Sequence, residues 1–126
     1  MKANGAKVWT FADGWLPEKV DDGGPLEAHE ALMIVNTGSV EANVKLDLYF
    51  DDKDPVKDIP VTVGAERVNC LRLDIPEHIG GTVIPPMTQY AMRVRSDVNI
   101  VVQFGRLDTT QYNLAYYINV GYCGDA

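Results

Sequence analysis

The stretch NIVVQFGRLDTTQ, Asn99 to Gln111, decides the fold. It opens on Ile100-Val101-Val102, passes through Gln103, and closes on Arg106, Leu107 and Asp108. Side chains alternate across a strand, so a run apolar at consecutive positions predicts a strand buried on both sides, in the middle of a sandwich or barrel. Gln103 inside the run carries an amide that is costly to bury unpaired. Arg106 and Asp108, two residues apart, share one face of an extended chain, close enough for one polar site.

Before this stretch, Thr88 to Arg95 alternates, with Tyr90, Met92 and Val94 predicted inward and Gln89, Arg93 and Arg95 outward. Ser96-Asp97 reads as a turn between the two strands. After it, Leu114 to Tyr122 is the last strand, rich in tyrosine, and Gly124-Asp125-Ala126 a loose end that includes Cys123 just before it.

Further out, Lys7 to Trp15 is a first strand ending near Asp13-Gly14, and Glu18 to Pro25 (EKVDDGGP) a solvated acidic loop. His29 to Asn36 (HEALMIVN) is apolar on both faces in its middle. Asn43 to Phe50 alternates Val44, Leu46, Leu48 and Phe50 with Lys45, Asp47 and Tyr49, a half-buried strand with a wet face. The short connection Gly38 to Ala42 predicts that these two strands form an antiparallel hairpin. Lys57 to Val63 places Ile59, Val61 and Val63 inward, and Pro60 marks an edge strand. Arg67 to Leu73 is one more strand. Ile75 to Met87 is a long connection with three prolines, Gly80-Gly81 and His78. No amphipathic helical period persists for three turns. About eight short strands predict an all-β fold, an antiparallel β-sandwich or barrel.

The 126 residues fit one domain, residues 1–126, with a single core. Hydrophobic content of 46% and charged content of 23% are those of a soluble globular protein. A net charge of −7 argues against a general nucleic-acid binder and against adsorption to an anionic membrane. Direct DNA binding would need Arg72, Arg93 and Arg95 on one face, summed over several subunits. The two cysteines form no metal-spaced pair and read as reduced, Cys70 as a small core residue. No signal peptide is visible in MKANGAKVWTF, and no apolar run reaches the ~18–20 residues of a membrane helix, which points to the cytoplasm without membrane insertion.

Catalytic constellations are scarce. Ser39 and Ser96 lie in turns, outside any nucleophile-elbow pattern. His29 and His78 are not spaced as ligands, and no Gly-rich phosphate loop precedes a helix. Asp51, Asp52 and Asp54 lack the central Gly and distal Glu of a calcium loop and read as a solvated turn. Glu30 and Asp108 are the one carboxylate pair that would suit glycoside hydrolysis; against it stands a structural role for Asp108, capping the strand or pairing with Arg106. Arg106 follows Ile100, Val102 and Phe104 on one face, so its fork needs a partner: a ligand's carboxylate or hydroxyls, or an internal carboxylate such as Asp108 or Glu30.

VWTFADGWLP at Val8–Pro17, HEALMIVNTG at His29–Gly38, VKLDLYFDDKDPV at Val44–Val56 and IVVQFGRLDTTQ at Ile100–Gln111 together resemble the sensory rhodopsin transducer family in order and spacing. The family's motif positions fall on Trp9, Gly14, Pro17, His29, Glu30, Asn36, Gln103, Arg106, Asp108 and Gln111. The resemblance implies a small antiparallel β-sandwich, similar to jelly-roll and carbohydrate-binding-module folds, that assembles as a cytoplasmic homotetramer of cyclic symmetry. It implies a signalling protein whose partner in the founding case is a membrane-embedded sensory rhodopsin; with the scarcity of catalytic and ligand constellations beside it, the expectation is a non-catalytic protein without cofactor or metal. For relatives without a rhodopsin it implies a sugar-binding or carbohydrate-linked role. The ligand-binding set expected for that alternative is His29, Glu30, Gln103, Arg106 and Asp108, with Trp9 as the aromatic face.

Overall fold

The computed structural model describes residues 3–20, 26–111 and 113–124. Its strands are β1 (Ala6–Trp15), β2 (His29–Asn36), β3 (Ala42–Phe50), β4 (Val56–Val63), β5 (Arg67–Arg72), β6 (Gln89–Asp108), β7 (Ala115–Asn119) and β8 (Tyr122–Gly124). All pairings are antiparallel. A 3-10 turn, Pro76–Ile79, sits in the long connection after β5.

The fold hangs on β6, which is 20 residues long and belongs to two layers. Its first half runs between β3 and β1, giving the order β4-β3-β6-β1-β8. Its second half runs between β2 and β7, giving β5-β2-β6-β7. The inner faces of the two layers enclose the core, where the Phe11 and Phe104 rings meet edge to face at 5.7 Å.

The expected turn at Ser96-Asp97 is therefore not a reversal. The register between β1 and β6 slips from Val8↔Arg95 to Ala6↔Ile100, so the extra β6 residues form a bulge where the strand passes from one layer to the other. The polar side chains find partners there: Asp97 accepts from the backbone N–H and side-chain amide of Asn43 at 2.8 and 2.9 Å, and Ser96 Oγ accepts from Val98 N–H. At the other end, the single strand expected over Leu114–Tyr122 divides into β7 and β8, one in each layer. Gly121 makes that crossing possible, because a Cβ there would lie 2.6 Å from the Phe11 ring. Eight strands result because one expected pair is fused and one expected strand is split.

β2 and β3 do not form the expected hairpin; they lie in different layers. The buried side chain of Asn36 shapes the corner between them. Its amide donates to the carbonyls of Val40, Val63 and Gly64, and its Oδ1 accepts from Gly38 N–H at 3.0 Å. β4 is an edge strand, as Pro60 predicts.

Three burial expectations change. The Val101 side chain is 37% exposed, because the chain covers only the inner face of the β5-β2-β6-β7 layer. Cys70, expected in the core, is exposed on that same outer face, and Cys123 is held in β8 opposite Trp9 rather than in a loose end. Asp47, expected on a wet face, is fully buried. Of the acidic loop expected over 18–25, residues 21–25 lie outside the described residues, as do 125–126 of the C-terminal end. Lys19 is anchored, bonding Glu27 at 2.6 Å and the buried Asp74 carboxylate at 2.7 Å.

Candidate functional site

Glu30 and Arg106 face each other directly in the β2–β6 ladder, both on the inner face. Arg106 Nε donates to Glu30 Oε2 at 3.0 Å. The backbone N–H of Trp15 donates to the same oxygen at 3.1 Å, and the Tyr90 hydroxyl donates to Oε1 at 2.6 Å. Both oxygens of this fully buried carboxylate thus have protein partners. Arg106 also donates through Nη2 to the Asp13 carbonyl at 3.2 Å, and its guanidinium stacks 5.2 Å from the centre of the Tyr117 ring. Asn119 donates to that same carbonyl at 3.0 Å.

Each partner arrives for a local reason. Asp13 and Trp15 come from the end of β1, where the ladder with β6 shifts register between Phe11 and Gly14. Gly14 permits that approach: a Cβ would lie 2.5 Å from Tyr90 Cζ. Tyr90 reaches in from the opposite layer, so its bond to Glu30 ties the two sheets together. Tyr117 stands directly beside Arg106 in the β6–β7 ladder.

Burial pushes the Glu30 carboxyl above its ordinary range, while Tyr90, Trp15 and Arg106 pull the other way. Burial also lowers Arg106, but Tyr117, Glu30 and Asp13 outweigh it and the guanidinium stays charged. Burial and the neighbouring carboxylate push the Tyr90 hydroxyl well above its usual range, so it remains a neutral donor.

The remaining expected site residues do not gather here. Gln103 is exposed on the outer face of the sheet, the opposite side from Arg106, and needs no buried partner. His29 is half-buried at the start of β2, its Nδ1 2.7 Å from the Glu27 carbonyl. Asp108 caps the end of β6, accepting from Thr110 N–H and Oγ1 at 2.9 and 2.6 Å. Trp9 donates its indole N–H to the carbonyls of Ala6 and Ile100, beside the bulge.

A second polar cluster sits on the outer side of the other layer and was missed as a site. Arg95 holds both oxygens of Asp47, at 2.8 and 2.7 Å, Arg93 Nε lies 3.1 Å away, and Asp58 N–H donates at 3.0 Å. Arg93 and Arg95 are therefore engaged by carboxylates rather than forming a free basic stripe. The signal was available: Asp47 lies directly opposite Arg93 in a ladder between two strands of recognisable alternation. Asp51, Asp52 and Asp54 are exposed at the β3–β4 turn. Among the described residues, no three His, Cys, Asp or Glu side chains gather as a metal site. No helix among them is long and apolar enough to cross a membrane.

The family model described as Anabaena sensory rhodopsin transducer matches residues 4–123. Among solved structures, a crystal structure of Thermotoga maritima 1070 is similar with 31% identity and a TM-score of 0.82, covering 96% of this chain and 97% of that one. The Anabaena sensory rhodopsin transducer itself is similar with 32% identity and a TM-score of 0.70, covering 82% of this chain and 97% of that one. No curated protein matches the chain.

Proposed function

The chain belongs to the Anabaena sensory rhodopsin transducer family, and from that membership we propose that it is a non-catalytic signalling protein of the cytoplasm. It acts as a homo-oligomer, a tetramer in the family pattern, built from one domain per chain. It takes its signal by contact with a sensory rhodopsin or another protein partner.

The observation that carries this reading is the state of the Glu30–Arg106 cluster. Its charges are opposite, buried and bonded to backbone and to Tyr90, which leaves neither oxygen of Glu30 for a substrate. A general acid or a sugar-binding carboxylate needs an accessible edge. The cluster instead supports a role in joining the two layers. The sugar-binding alternative finds little support, since His29, Gln103, Asp108 and Trp9 lie in different places around the sandwich. Recognition then falls to the surface.

The test is a calorimetric titration of the protein against a microbial sensory rhodopsin in detergent micelles, beside a thermal-shift screen with mono- and oligosaccharides. Saturable heat with the rhodopsin and no shift with sugars is the expected result. A sugar at ~100 times its dissociation constant would add about 2.7 kcal/mol. A midpoint rise of several degrees with a sugar, together with no heat from the rhodopsin, would overturn the reading.

A further inference from the structure

We propose that the hollow between the β6 bulge and the β2–β3 corner binds a small zwitterion of the α-amino acid class. The hollow measures about 290 Å³. Three segments wall it: Asp97 to Asn99 of the bulge, Gly38 to Val40 of the corner, and the chain entering β1 at Ala3 and Lys7. Asn36 also borders it, but its buried amide is already engaged in shaping the corner.

The wall carries two charged side chains, Lys7 and Asp97, both exposed. They do not meet as an ion pair. Glu41 and Glu66, the other carboxylates of the corner, lie off the wall. Asp97 is fixed in place by Asn43, which donates to one oxygen at 2.8 Å through its backbone and to the other at 2.9 Å through its side chain. Each oxygen keeps a further lone pair for a ligand. The bonds from Asn43 hold the Asp97 carboxyl below its ordinary range, and the nearby charge of Lys7 adds to the lowering. Ser39 Oγ and the Asn99 amide line the same hollow, and among the described residues neither side chain is bonded to another group. Val40 and Val98 give it an apolar wall.

This combination selects by charge. A simple anion suits Lys7 and is repelled by Asp97, and a simple cation meets the reverse. A neutral sugar leaves both charges without a counter-charge. A molecule carrying an ammonium and a carboxylate on a short carbon stem satisfies every group: the ammonium on Asp97, the carboxylate on Lys7 and Ser39, the stem against the valines. The volume lies at the lower end of the roughly 300–1,000 Å³ of ligand pockets, which limits the occupant to a small molecule.

The experiment is a calorimetric titration of the wild type with glycine, L-alanine, L-serine and L-threonine, and with the N-acetyl and amide derivatives of each. The derivatives remove one charge at a time from the ligand, so the result does not depend on any variant folding. Lys7→Met and Asp97→Asn are titrated alongside, with Lys53→Met, an exposed lysine of the β3–β4 turn, as the control. At least one amino acid is expected to bind with a dissociation constant of about 1 mM or tighter. Its two derivatives are expected to bind about ten-fold more weakly or worse, as are both site variants with the amino acid itself, and the control is expected to match the wild type. No saturable heat from any of the amino acids overturns the site. So does affinity that is unchanged when either ligand charge is blocked, or unchanged in Lys7→Met or in Asp97→Asn.

Discussion

Arg106 and Glu30 occupy directly paired positions of β6 and β2, and their 3.0 Å ion pair lies between the two sheets rather than at a surface. Desolvating two charges is costly, and the pair is favourable only because Tyr90, Trp15 and Asp13 complete its hydrogen bonds. Removing one partner strands the other. Arg106→Ala is expected to cost about 3–5 kcal/mol in urea unfolding, whereas the double change Glu30→Met with Arg106→Met is expected to be near neutral. Equal losses for the single and double variants would contradict the pairing.

Gly14 and Tyr90 give a second test. A Cβ at position 14 would sit 2.5 Å from the Tyr90 ring, closer than any real contact. Gly14→Ala must move the ring and with it the hydroxyl on Glu30, at an expected cost of about 1–3 kcal/mol for the overpacking plus the lost bond. Tyr90→Phe keeps the ring in place and loses the bond alone, about 1–3 kcal/mol. Thermal unfolding should rank Gly14→Ala as the more damaging of the two.

Acid stability follows from two buried aspartates. Burial alone would raise Asp47, but Arg95, the Asp58 N–H and Arg93 outweigh it and hold the carboxyl at about 2, against an ordinary 3.8. Asp74 is likewise held at about 2 by Arg72 and Lys19 against its burial. A depressed carboxyl stabilises the fold fully above its unfolded value, and that contribution is lost as the pH falls through the folded value. Each group is expected to contribute on the order of 2 kcal/mol that disappears between pH ~4 and ~2. Asp47→Asn should flatten the stability–pH curve in that window; an unchanged slope would refute the assignment.

The corner between the layers depends on Asn36. Its amide reaches the carbonyls of Val40 in the β2–β3 connection, of Val63 at the end of β4 and of Gly64 just after it. Asn36→Ala leaves buried acceptors without donors and is expected to cost about 1–3 kcal/mol for each one that water cannot reach. Hydrogen exchange should then accelerate first around residues 36–40 and 63–66; uniform acceleration across the sheet would argue against a local role.

Alternation made most strands readable from residue types alone, β3 and β4 above all, since Val44, Leu46, Leu48, Ile59, Val61 and Val63 all point into the core. Connectivity was less readable. Ser96-Asp97 has the composition of a turn, and only the partner strands reveal that the chain bulges and continues. The short link after β2 suits a hairpin equally well, and what sends it to the other layer is the set of bonds made by one buried amide. The charge on Arg106 demanded a partner, and Glu30 was among the candidates. Tyr90 was legible as an inward residue, and a buried phenol needs an acceptor, but which acceptor depends on how the layers face each other. Gln103 follows the alternation onto the outer face, so its proximity to Arg106 in sequence did not translate into a shared site.

The most direct test of the account is the mass of the wild-type protein by sedimentation equilibrium across the micromolar range. A protein that works through its surfaces as a homo-oligomer should give a fixed multiple of the 13.9 kDa chain. A constant 13.9 kDa would contradict it.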